Sequence, residues 1–136
     1  MTTKKYGFQK IERLRLRKDI QRLYEQGISL FVYPFKARYL IVEKKDLAIP
    51  AQVLITVSGK TFKKAVHRNR IKRLIRESYR LNKYLLTPEK DKVFHIHFHY
   101  ISKKILDFHT VQKGMQELLA QINQRSNSDL NLPSNE

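Results

Sequence analysis

Between Lys60 and Arg80 the sequence KTFKKAVHRNRIKRLIRESYR sets nine cations, Lys60, Lys63, Lys64, Arg68, Arg70, Lys72, Arg73, Arg76 and Arg80, against the single acid Glu77. At about 100° per residue, Ile71, Leu74, Ile75, Ser78 and Leu81 fall together as a stripe fit for burial, so the spacing predicts a helix over Lys63–Asn82. Its opposite side carries Asn69, Lys72, Arg73, Arg76 and Arg80, with Arg68 and Arg70 on the shoulders. Any fold for this chain must pack one side of that helix and leave the other to solvent or to a polyanion.

The rest of the composition points the same way. The 136 residues suffice for one packed core and are short for two ordinary domains. With 28 Lys+Arg against 12 Asp+Glu, the formal net charge is +16, which repels itself in a compact state until a partner neutralises it. The candidates are nucleic acid and an anionic membrane surface. No apolar run approaches the roughly 20 residues that span a bilayer, and MTTKKYGFQKIERLRLRK has no signal-peptide core. The expectation is a soluble, cytoplasmic protein. An amphipathic basic helix also suits a membrane surface, but this apolar stripe lacks Phe and Trp and is better spent on a core. The chain has no cysteine, which excludes disulfides, thiolate zinc sites and thiol catalysis.

Read in order, residues 1–17 are polar and basic and are expected to be an arm that settles on a partner. A globular domain is expected over residues 18–124 and a disordered tail over 125–136. Ile20, Leu23 and Tyr24 begin a helix over Lys18–Gln26, with Gly27 placed as a left-handed C′ residue. Ser29–Val32 and Phe35–Glu43 read as strands around Pro34, and Gln52–Ser58 as another. Val93–Ile101 alternates, with Phe94, Ile96, Phe98 and Tyr100 on one face and Val93, His95, His97, His99 and Ile101 on the other. Phe108, Val111, Met115, Leu118, Leu119 and Ile122 predict a last helix over Phe108–Gln124 behind Asp107.

The basic helix is the strongest chemical signal, because each Lys or Arg that neutralises a phosphate releases a condensed counterion. Interleaved rings in the N-terminal half, Tyr24, Phe31, Tyr33, Phe35 and Tyr39 among Arg22, Lys36 and Arg38, suit a groove for single-stranded nucleic acid, although some must be core. Histidines at i, i+2 and i+4 on a strand can chelate a metal, yet no carboxylate shares their face to orient them. A half-buried polar face, or partial protonation on an RNA-facing surface, accounts for them better. No nucleophile elbow, P-loop or glycine-rich phosphate cradle is present, and the carboxylates are too scattered for a two-metal nuclease centre. No catalytic or metal-ligating residue is assigned.

The segment KAVHRNRIKRLIRE, Lys64–Glu77, closely resembles the RNR signature of the bacterial ribonuclease P protein subunit, and Arg68, Asn69 and Arg70 form its triplet. That resemblance implies a single α+β domain of order αβββαβα, with a four-stranded sheet and a left-handed crossover through the basic helix, against the right-handed rule that holds in about 98% of such connections. It implies a subunit of an endoribonuclease whose RNA performs a magnesium-dependent removal of the 5′ leader of precursor tRNA. The partners would be the catalytic RNA and precursor tRNA, with no membrane and no obligate protein partner. RNA binding would fall to Lys64, Arg68, Asn69, Arg70, Lys72, Arg73, Arg76 and Arg80. The leader cleft would comprise Ile20, Tyr24, Lys36, Arg38, Thr56, Arg68, Asn69 and Arg76. The other readings are a non-catalytic basic RNA-binding protein, such as a ribosomal or assembly factor, and a metal-dependent nuclease built on the histidine row.

Overall fold

The computed structural model describes residues 8–131. Its elements are α1 (Arg17–Gln26), β1 (Ile28–Val32), β2 (Phe35–Glu43), β3 (Ala51–Val57), α2 (Ala65–Asn82), β4 (Lys92–Tyr100) and α3 (Phe108–Asn131), the αβββαβα order that the resemblance implies. The sheet runs β1-β2-β4-β3. β1 and β4 are antiparallel to β2, whereas β3 and β4 are parallel neighbours joined through α2.

Alternation on β4 divides the molecule into two layers of unequal thickness. Phe94, Ile96, Phe98 and Tyr100 are buried beneath α2 and α3 together with Phe35, Tyr39, Ile71, Ile75, Tyr79, Met115 and Leu118. The other face turns to α1, where Leu23, Val42 and Val93 are buried and a polar cleft opens beside them. One face therefore supplies most of the hydrophobic stabilisation. The thinner face is free for a ligand.

Two glycines mark close approaches rather than unusual dihedrals. Gly27 does not take the left-handed conformation expected of it: its φ is −73°. Space is what it supplies, since a Cβ there would lie 2.3 Å from the Leu23 carbonyl oxygen and 2.8 Å from Arg38 Cγ. In α3 a Cβ on Gly114 would lie 2.6 Å from the Tyr33 carbonyl oxygen, so the turn between β1 and β2 presses directly on that helix.

The ends differ from expectation. Residues 1–7 of the expected arm lie outside the described residues, but from Phe8 onward the segment is packed. Lys10–Glu12 form a 3-10 turn, Leu14 is buried, and its N–H donates to the Val53 carbonyl at 2.9 Å. This backbone pairing covers the outer edge of β3, a position that sheets otherwise leave open to foreign strands. Glu12 is buried against Lys83, Oε1 to Nζ 2.9 Å. At the other end α3 continues past Gln124 to Asn131, and residues 132–136 of the expected tail lie outside the described residues.

The buried stripe of α2 is also rotated from its expected position. Ile71, Ile75 and Ser78 are buried as the spacing requires, but Tyr79 and Asn82 replace Leu81, which is 38% exposed. The reason is the neighbour: Asn82 donates to the Ser78 carbonyl and to Gln112 Oε1, and accepts from Gln116 Nε2, binding α2 to α3. Tyr79 meanwhile packs its ring on Phe98 and Phe8. Among the described residues no helix is long and apolar enough to cross a membrane.

Candidate nucleic-acid interface

The cleft on the thin face has a volume of about 320 Å³ and is lined by Tyr24, Ser29, Lys36, Ala37, Arg38, Thr56, His97 and His99. Five elements build it: α1 and all four strands. Arg38 sits where β2 passes under the end of α1: its Nη1 donates to the carbonyls of Tyr24 and Gly27, both at 3.3 Å, and its guanidinium lies 5.6 Å from the Tyr24 ring centroid. Tyr24 itself is 48% exposed. A base entering the cleft would meet a ring already electrostatically engaged by a cation.

Thr56 is the floor. Its Oγ1 lies 2.7 Å from both His97 Nε2 and His99 Nδ1, and His97 Nδ1 lies 2.9 Å from the Tyr24 hydroxyl. One strand position away, His95 Nε2 donates to Gln52 Oε1 at 2.9 Å, while Gln52 Nε2 donates to the Ile11 carbonyl. Each histidine is thus tied to β3 by a hydroxyl or an amide. Among the described residues no group of three His, Asp or Glu side chains is placed to hold a metal ion.

Burial shifts the protonation of two of these rings, His95 and His97. Desolvation, aided by His99 and Arg38, pushes His97 down to about 4. His95 is lowered too, mainly by burial, with Lys44 and Arg22 adding to the shift and Asp19 opposing it. Partial protonation, expected from a solvent-facing row, does not describe these two rings. A folded-state pKa below the unfolded one means that the unfolded chain takes up the proton first. The stability is complete above the unfolded value and is lost as pH falls towards about 4. Between about pH 7.5 and pH 5 His97 alone should cost about 1–2 kcal/mol, allowing for screening where the cleft opens to water. Urea titrations at the two pH values should show this loss, and His97→Gln should remove most of it.

Cleft residues read from the sequence divide into two groups. Tyr24, Lys36, Arg38 and Thr56 line the cleft as expected, whereas Ile20, Arg68, Asn69 and Arg76 are not among its lining residues. Arg76 lies instead in a second depression, between α2, the edge of β3 and the N-terminal segment, with Lys72, Arg13, Arg15 and Phe8. Its pKa is lowered by partial burial and then by the charges of Arg13 and Arg73. Arg68 turns inward, donating to the carbonyls of Phe62 at 2.6 Å and Lys63 at 3.1 Å, so it fixes the loop that enters α2. Arg80 is paired with Glu77. Lys64, Asn69, Arg70 and Arg73 are exposed.

His97, His99 and Ser29 were missed as cleft residues, as were Arg13 and Arg15 beside α2. The histidines had a signal: they lie on the face of β4 opposite the Phe94–Tyr100 core face. What periodicity could not supply was the parallel register that sets Thr56 beside His99. Of the interleaved rings, Phe35 and Tyr39 are core, and Tyr24, Phe31 and Tyr33 are about half exposed or more.

Together, a two-faced sheet with a carboxylate-free cationic cleft and an outward-facing basic helix define a small α+β protein built to hold a polyanion. The ribonuclease P family profile matches residues 8–123. The chain is 39% identical to the ribonuclease P protein component of Porphyromonas gingivalis, covering 86% of this chain and 87% of that one. It is 32% identical to the corresponding protein of Thermotoga maritima, over 85% and 96%. The solved Thermotoga maritima structure superposes with a TM-score of 0.63 at 31% identity, covering 80% of this chain and 96% of that one. A Staphylococcus aureus ribonuclease P protein gives 0.56 at 25% identity, over 87% and 93%. The chain belongs to the ribonuclease P protein family, whose members are the protein component of the endoribonuclease that matures tRNA 5′ ends.

Proposed function

We propose that the thin-face cleft holds the single-stranded 5′ leader of precursor tRNA, while the outer face of α2 lies on a catalytic RNA. The observation that supports this most is the cleft lining: two cations, hydroxyls and imidazoles, an exposed ring, and no carboxylate. Such a surface attracts a phosphodiester chain and stacks a base without reading it strictly. It has no carboxylate that could hold a metal ion to activate water. Hard cations such as magnesium take oxygen ligands, chiefly carboxylates and carbonyls, and the cleft side chains do not fit that requirement. The reaction's magnesium is therefore assigned to the RNA, and no catalytic step to the polypeptide.

The role of the chain is then positional and electrostatic. Lys36 and Arg38 screen the leader's phosphates, and Lys64, Arg70 and Arg73 screen those of the catalytic RNA, where two polyanions must approach. To test this, precursor tRNA is incubated with the protein alone, with a cognate catalytic RNA alone at low magnesium, and with both. Leader removal only in the combined sample supports the reading. Cleavage by the protein alone would point to the histidine row as a nuclease, and no enhancement would leave a non-catalytic RNA-binding protein. Tyr24→Ala should weaken binding of leader-bearing substrate about tenfold, a typical loss for one base–ring stack, and leave mature tRNA unaffected. Equal losses for both would remove the leader from this cleft.

A further inference from the structure

A second cavity, of about 590 Å³, lies between the N-terminal turn, the connection from β2 to β3 and the end of α2, and it shares no lining residue with the leader cleft. Its size is that of sites which enclose a small ligand, about 300–1,000 Å³. Leu47, Ala48, Ile49, Pro50 and Leu86 supply an apolar wall, and the Tyr84 ring beside them is 65% exposed. An uncovered ring over an apolar hollow marks a surface that another molecule can cover. The charged lining cancels, Arg80 and Lys83 against Glu12 and Asp46. A phosphate therefore finds no net attraction here, in contrast to the leader cleft. Hydrogen-bonding capacity is nevertheless present, because the N–H and C=O groups of Leu47, Ala48 and Ile49 make no hydrogen bond among the described residues. They offer donors and acceptors along the apolar wall.

A flat, uncharged ring with hydrogen-bonding edges suits such a lining, and a nucleobase is that kind of ring. A hydrocarbon side chain would fill the hollow but cover the backbone groups and the Glu12–Lys83 pair without satisfying them, which is costly. Position identifies the source. Arg80 lines the cavity and also belongs to the outer side of α2, one turn beyond Arg76 and two beyond Arg73. The cavity therefore continues the surface assigned to the catalytic RNA. We propose that it receives an unpaired nucleobase turned out of that RNA, stacked on Tyr84 and held along its edge by the backbone of residues 47–49, while the sugar-phosphate chain stays outside with the α2 cations. Unstacked bases of loops and bulges are the part of an RNA that side chains can reach in this way. The inference rests on the reading of the outer face of α2 and adds to its charge one anchoring contact that fixes register.

Stacking releases no counterion, so its loss has a signature that a lost cation cannot mimic. For the full chain and a cognate catalytic RNA, Tyr84→Ala should weaken binding about tenfold at every salt concentration. The slope of log K against log salt should stay as in the wild type, as should the melting temperature of the free protein, because the ring is largely exposed. Tyr84→Phe should bind as the wild type does. Ultraviolet cross-linking followed by mass spectrometry of the Tyr84 adduct should identify one unpaired nucleotide. RNA lacking that base should bind the wild-type protein about tenfold more weakly and should bind Tyr84→Ala no worse than intact RNA does. Wild-type affinity in Tyr84→Ala, a changed slope, or losses that multiply when ring and base are removed together would overturn the proposal. So would an effect of Tyr84→Ala confined to sedimentation of the free chain, which would make the cavity a contact between copies. The underlying reading is tested apart from it by the combined change Lys64→Ala, Arg70→Ala, Arg73→Ala. A wild-type slope there means that α2 does not face the RNA. A reduced slope there, with normal binding by Tyr84→Ala, means that the cavity proposal alone fails.

Discussion

Glu12→Ala is expected to destabilise the fold by about 3 kcal/mol, towards the lower end of what breaking a buried ion pair costs. The carboxylate is 1% exposed and holds two donors: Lys83 Nζ at 2.9 Å and the Gln9 N–H at 2.8 Å. Alanine removes this acceptor from both, and of the two donors Lys83 is itself buried. The estimate sits at the low end because Glu12 and Lys83 border a cavity of about 590 Å³ beneath the connection between β2 and β3, through which water can reach part of the vacated space. The consequence reaches beyond stability. The 3-10 turn leads into the pairing of Leu14 with Val53, which holds Arg13 and Arg15 beside Lys72 and Arg76. Denaturant unfolding should report the energy, and amide exchange at Leu14 should rise more than at Phe98. A loss below about 1 kcal/mol, within the range of a surface pair, would mean that the N-terminal segment is not fastened by this contact.

How far the sequence made this legible depended on the range of the interactions involved. Period and charge located α2 and its free face because both are properties of neighbouring residues. They misplaced Leu81 because the choice between Leu81 and Tyr79 is made by Phe98 and Phe8, and that of Asn82 by Gln112 and Gln116, all remote in sequence. The histidine row was visible as a strand face, but the lowered pKa of His95 and His97 comes from burial and the tie between His97 and His99 from Thr56. Glu12 gave no local signal at all: in a segment with so many cations it read as one more solvated charge. Its partner lies 71 residues away. Family resemblance supplied the chain order and the RNR triplet, yet placed Arg68 in the leader cleft, where the guanidinium instead bonds Phe62 and Lys63.

That distinction determines which cations should govern RNA affinity. The combined change Lys64→Ala, Arg70→Ala, Arg73→Ala removes three exposed charges of α2 without touching a hydrogen bond described for the fold. If each neutralises one phosphate, the slope of log K against log salt should fall by about 2–3, since each contact contributes roughly 0.7–0.9. Affinity at low salt should drop by two orders of magnitude or more, with unfolding free energy changed by about 0.5 kcal/mol at most. Arg76→Ala should lower the slope by about one. It should also relieve the partial burial, and then the crowding with Arg13 and Arg73, that lower the Arg76 pKa, so the free protein loses little or gains. Arg68→Ala should behave differently: the loop carbonyls of Phe62 and Lys63 lose their donor, and the cost appears in stability before it appears in salt dependence. A binding series across ionic strength, with thermal melts of the same variants, separates the two. An unchanged slope in the triple variant would remove the outer face of α2 from the RNA interface. A slope change in Arg68→Ala with no stability loss would return that residue from the loop to the phosphate.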